Sequence, residues 1–186
     1  MLFTVILDAN VLAPAYLRDL LLEMAHRGIF RARWTPDIQD EVRRTLIARL
    51  GVDKDKVDRL INLMHENVLQ PMVSSYEPLI DGLNLPDPDD RHVLAAAIVS
   101  EADTIVTYNL KDFPQPLLSE HGIVAIHPDE FLASQITLRP GPSAAAVRQI
   151  LNRMTRPQFD TNDLLNRYRR SQLSHTADAL AELLTP

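Results

Sequence analysis

FTVILDAN, residues 3–10, decides the reading of this chain. Phe3 to Leu7 is an unbroken apolar run with β-branched members, the pattern of a strand buried on both faces of a parallel sheet. An acid and a polar amide follow at once, at Asp8 and Asn10. Parallel sheets bind ligands just beyond the carboxyl ends of their strands, so Asp8 stands where a ligand would sit.

Downstream, Leu17, Leu20, Leu21 and Met24 recur at helical spacing, and Gly28 suits a C-cap. Thr35-Pro36 opens a second helix, with proline at the first helical position and Ile38, Val42, Leu46 and Leu50 as its apolar stripe. Val57, Leu60, Ile61, Met64 and Val68 mark a third. Residues 71–89 hold four prolines and read as a loop with at most a short turn of helix. A helix from about Asp89 to Glu101 carries Val93, Ala96, Ala97 and Ile98, and strands are expected at Thr104–Thr107 and Gly122–Ile126. This order predicts an α/β fold with a mostly parallel sheet. Residues 137–143, TLRPGPS, read as a linker to a helical extension over 144–186. The extension is too small to hold a core alone and should pack on the body or a partner.

The 186 residues, 46% apolar, suffice for one domain with an appendage. There is no cysteine, which excludes disulfides, thiolate zinc sites and cysteine nucleophiles. With no apolar run of membrane-spanning length and no basic segment ahead of the first strand, a cytoplasmic protein is expected. Net charge is −6, split unevenly: residues 1–138 carry 12 Lys and Arg against 21 Asp and Glu, whereas residues 139–186 carry 7 against 4.

Four carboxylates on four segments could meet at one sheet edge: Asp8 after the first strand, Glu41 about 60° off the stripe of its helix, Asp90 at a helix start and Asp112 past the strand ending at Thr107. Two carboxylates 5 Å apart repel by about 3 kcal/mol at an effective dielectric near 20. A hard divalent ion, Mg²⁺ or Mn²⁺, offsets that cost and can activate water. The six histidines form no zinc-binding pair of the HExxH or HxH kind. Asp87 is expected as an N-cap ahead of Pro88, and Asp89 as a solvated acid of the first turn. Asp87-x-Asp89 is no calcium loop, since the sixth position is His92 and the twelfth Ile98.

These residues resemble the PIN-domain nucleases, and among them the VapC-type toxins of bacterial toxin–antitoxin pairs. The similarity rests on the strand with Asp8-Ala9-Asn10, on Glu41 after Thr35-Pro36, on Asp90 with RHVLAAA, and on IVTYNLKDF at residues 105–113. It covers about residues 1–136. It implies a three-layer α/β/α fold, Mg²⁺ or Mn²⁺ held by Asp8, Glu41, Asp90 and Asp112, supporting hydrogen bonds from Asn10, Thr107 and Asn109, and cleavage of RNA. It also implies a cognate antitoxin protein as partner, with a homodimer as a further assembly. The extension departs from the smallest members.

Arg27, Arg31, Arg33, Arg43, Arg44 and Arg49 surround Trp34 in sequence, and Arg167-Tyr-Arg-Arg170 forms a second basic knot. Arginine beside an aromatic can grip single-stranded RNA, so Arg31, Arg33, Arg43 and Arg44 are expected contacts. Two other functions are compatible with the residues: a PIN-fold scaffold or RNA-binding module without cleavage, and a phosphohydrolase with Asp8 as nucleophile. The latter would need a positioned lysine, and the chain has only Lys54, Lys56 and Lys111.

Overall fold

The computed structural model describes residues 2–154 and 159–184. Four parallel strands form the sheet: β1 (Thr4–Leu7), β2 (Arg31–Arg33), β3 (Thr104–Val106) and β4 (Val124–Ile126), in the order β2-β1-β3-β4. The register aligns Ile6 with Arg33 on one side and with Ile105 on the other. β1 is central and wholly buried, as its unbroken apolar run requires. Its carboxyl end and that of β3 therefore lie side by side.

Helices surround the sheet: α1 (Ala9–Leu12), α2 (Ala15–His26), α3 (Pro36–Arg44), α4 (Lys54–Asn67), α5 (Glu77–Ile80), α6 (Arg91–Val99) and α7 (Gln115–Ser119), followed by α8 (Pro128–Leu138), α9 (Pro140–Arg153), α10 (Thr161–Arg170) and α11 (Ser174–Leu184). Thr35 caps α3, its hydroxyl accepting from the Ile38 amide at 3.1 Å. Gly28, at φ 71°, ends the turn after α2 in a conformation that glycine adopts without strain. The Ala95–Ala97 run is completely buried, letting α6 lie close to the sheet.

α3 does not continue as expected. Residues Thr45–Arg49 form a π-helical turn, with the Leu50 amide donating to the Thr45 carbonyl at 3.3 Å. The extra residue in that turn rotates the apolar stripe, so Leu50, expected inside, is 62% exposed.

The segment 137–143 read as a linker is helical apart from Arg139, ending α8 and starting α9. Pro140 occupies the first position of α9, where its missing N–H costs nothing. The C-terminal helices share the main core through Val147, Leu164, Tyr168, Leu173 and Leu180. Two polar joints reinforce the packing. Arg153 of α9 pairs with Glu23 of α2, and Asp129 of α8 accepts from the Thr176 amide at 2.7 Å and its hydroxyl at 2.8 Å. No helix among the described residues is long and apolar enough to cross a membrane.

Candidate metal centre

Asp8 directly follows β1 and is buried, 4% exposed. Its Oδ1 accepts from the Ala9 amide at 2.6 Å and so caps α1. Its Oδ2 accepts from Thr107 Oγ1 at 2.6 Å and Asn10 Nδ2 at 2.7 Å. Burial pushes the Asp8 carboxyl above its ordinary range, opposed by the Thr107 and Ala9 hydrogen bonds and reinforced by the charge of Glu41.

Asn10, Thr107 and Asn109 form one network around it. Asn10 Oδ1 accepts from the Tyr108 amide at 3.1 Å, and Thr107 Oγ1 accepts from the Asn109 amide at 3.0 Å. Asn109 Nδ2 donates to Asp90 Oδ2 at 3.2 Å, linking the loop after β3 to the start of α6.

Asp90 occupies the cap position of α6 but makes no side-chain cap bond, which leaves its carboxylate to the pocket. Asp87, Asp90 and Asp112 each offer an oxygen within 4.8 Å of the others. Burial first, then the charges of Asp8, Asp87, Asp112 and Glu41, push the Asp90 carboxyl up to about 7. The other three sequence-predicted acids, Asp8, Glu41 and Asp112, thus all lie close enough for their charge to act on Asp90.

The sequence reading assigned Asp87 to capping alone. It does cap the 3₁₀ turn at Pro88–Asp90, accepting from the Asp89 amide at 2.9 Å. It also belongs to the carboxylate trio, a role that the DPDD spacing could have suggested. His92 was missed altogether. At the second position of α6, its Nε2 lies 2.9 Å from Glu41 Oε1, while its buried Nδ1 has no partner among the described residues. Burial pushes the His92 cation down, but the hydrogen bond and charge of Glu41, with Asp37 and Asp8, outweigh it and raise the group overall.

The proposed RNA contacts fare unequally. Trp34 and Tyr168 are both 0% exposed, so neither can stack on a base. Arg33 donates to the Gln70 carbonyl, and Arg43 pairs with Asp58. Arg31 is exposed on the edge strand β2. Arg44 and Arg49 line an open groove of about 1300 Å³ that reaches Asn10, Glu41 and Asp90.

Comparison with known proteins identifies the family. The family model of the PIN domain matches residues 4–111, and that of the VapC50 C-terminal domain matches residues 128–182. The helical extension is thus itself a recurring unit, and its model takes in α8. The "Putative ribonuclease VapC50" of Mycobacterium tuberculosis (strain ATCC 25618 / H37Rv) is 40% identical over 91 residues, 49% of this chain and 53% of that protein. The chain spans about half the length of the curated relative it matches. No solved structure matches. With the PIN model covering more than half of its residues, the chain belongs to the PIN-domain family.

Proposed function

We propose that this chain is a divalent-metal-dependent endoribonuclease of the cytoplasm, the toxin of a toxin–antitoxin pair that a cognate antitoxin protein restrains. The observation that carries the reading is the Asp87, Asp90 and Asp112 trio, with oxygens within 4.8 Å of one another and with Asp8 and Glu41 acting on Asp90. Burial together with this like charge raises the Asp90 carboxyl to about 7, a cost that a bound cation offsets. The relative's printed name, a ribonuclease, supports RNA as substrate.

The donor set fits the cation. Every candidate ligand is a carboxylate oxygen, the donor that Mg²⁺ and Mn²⁺ prefer. Asp8, Asp90 and Asp112 would hold the ion with Asp87, and Glu41 would contribute the oxygen that His92 leaves free. When bound, the ion supplies Lewis-acid activation of water and charge stabilisation at the phosphodiester. The protein's own groups do the positioning. Thr107 and Asn10 fix both rotation and charge of Asp8, Asn109 steers Asp90, and His92 holds Glu41. With carboxylates rather than a histidine pair at the site, water is the nucleophile in this reading. The products then carry 5′-phosphate and 3′-hydroxyl ends.

The test is cleavage of RNA by the purified chain in Mg²⁺ or Mn²⁺, with end-group analysis. Activity should vanish in EDTA and in the Asp8→Asn and Asp112→Asn variants, which should remain folded. Cyclic-phosphate ends, or cleavage that survives EDTA, would overturn the mechanism.

A further inference from the structure

The groove beside the acids has a charge pattern that the carboxylate chemistry does not use. One wall is the turn from α1 to α2, with Pro14 and Tyr16; the other is the end of α3 and the π-helical turn. Glu41 and Asp90 line it, and so do Arg44 and Arg49. Both arginines are exposed. Among the described residues neither lies within ion-pair distance of a carboxylate, whereas neighbouring Arg43 is held by Asp58 and Asp40. The one hydrogen bond of Arg44 is a long one, Nε to the Asp40 carbonyl at 3.4 Å, which leaves its outer N–H groups unused. In a chain of net charge −6, two unpaired guanidinium groups in a groove leading to an acidic pocket need a reason.

We infer that Arg44 and Arg49 grip successive phosphates of a single-stranded RNA lying in this groove. The inference rests on the ribonuclease reading and names how that substrate is held. Phosphates approaching Asp90 and Glu41 are repelled until a cation is bound, so affinity must come from contacts set back from the reacting bond. Guanidinium groups suit that task because they fork onto phosphate oxygens and stay charged at any working pH. Among the lining residues, the apolar side chains of Pro14, Tyr16 and Leu50 offer base-sized surface. Leu50 in particular is 62% exposed, because the π turn rotates it out of the core. Only unpaired bases can reach such a surface, which favours a single strand over a duplex. Neither Arg31 nor Arg33 lines the groove.

The experiment uses the full chain and a fluorescently labelled single-stranded RNA of about 12 nucleotides, within the range one groove covers. Equilibrium binding in Mg²⁺ and cleavage kinetics are measured for wild type, the Arg44→Gln/Arg49→Gln double variant and the Arg31→Gln control over a range of salt. The double variant should bind at least about tenfold more weakly, with KM raised and kcat nearly kept. Its log–log salt slope should be shallower by about 1.4, the value for two phosphates lost on a single strand. Arg31→Gln should match wild type. Unchanged affinity and salt slope in the double variant would overturn the clamp. Wild type that binds RNA through these arginines yet cleaves it under no divalent ion would sink the ribonuclease reading while keeping the clamp. Wild type that binds no RNA would sink the clamp itself.

Discussion

The hydroxyl of Thr107 donates to Oδ2 of Asp8 over 2.6 Å, tying the carboxyl end of β3 to that of β1. Thr107 is 0% exposed and also serves as acceptor for the Asn10 side chain at 2.9 Å and the Asn109 amide. Removing this hydroxyl while keeping the shape, as in Thr107→Val, takes the acceptor from the Asn109 amide and one of three donors from the buried Asp8 carboxylate. A loss of about 1–3 kcal/mol is expected in denaturant unfolding, with RNA cleavage down at least about tenfold, since Asp8 is then held by Ala9 and Asn10 alone. Thr107→Ser should restore both. A valine variant as active as wild type would show that the hydroxyl does not position Asp8.

Asp90 sets a pH dependence whose sign follows from its raised carboxyl. The folded group titrates at about 7 against an ordinary 3.8, so between those values the folded state holds the extra proton. Stability from this group is therefore full below about 4 and is lost as pH rises toward 7 and beyond. In EDTA, Tm should fall over that window for wild type and fall less for Asp90→Asn. Adding Mg²⁺ or Mn²⁺ at neutral pH should raise the wild-type Tm by roughly 5–10 °C at 100 times Kd, and shift Asp90→Asn less. A wild-type Tm indifferent to millimolar divalent ion would remove the basis for a metal centre.

His92 and Glu41 make the third test. The 2.9 Å contact joins α6 to α3 across the pocket. His92→Ala frees Glu41 to swing, and losing such a supporting partner typically costs 10–100-fold in metal affinity or activity. The midpoint for Mn²⁺ activation should move to higher concentration, and His92→Gln, which retains a donor, should recover part of the loss. Equal Mn²⁺ midpoints for wild type and His92→Ala would mean that Glu41 needs no holding.

Features written in local patterns were legible from residues alone. β1, the Thr35 cap and the helix at Asp90 each announce themselves within a few positions, because burial periodicity and capping chemistry are short-range. β2 did not, since Arg31-Ala32-Arg33 has one apolar residue and becomes a strand only by pairing with β1. The π turn at Thr45–Arg49 is equally silent, as helical periodicity assumes one constant rotation per residue. Asp87 shows a different limit: an acid can cap a turn with one oxygen and face a metal pocket with the other, and sequence favours the commoner role. Trp34 and Tyr168 show that an aromatic among arginines says nothing about its own exposure.

Asp129 and the start of α11 provide the last test. Although α8 and α11 lie 46 residues apart, the Asp129 carboxylate accepts from the amides of His175 and Thr176 and from the Thr176 hydroxyl, acting as a long-range N-cap. Burial pushes this carboxyl up, but these hydrogen bonds and the nearby His175 outweigh it and hold it below its ordinary range. Its stabilisation is therefore present above pH 4 and is lost as pH falls through the lowered value. Asp129→Ala removes two orphan-amide partners and one hydroxyl partner at a 5% exposed site. The cost should be about 2–4 kcal/mol, or roughly 5–15 °C in Tm at neutral pH. Because α11 shares the core through Ala177 and Leu180, the extension should loosen as a unit, and protease should cut it ahead of the body. Asp129→Asn should retain part of the stability by keeping one acceptor oxygen. If Asp129→Ala melts with wild type and its extension resists protease equally, then the Asp129 cap does not hold α11.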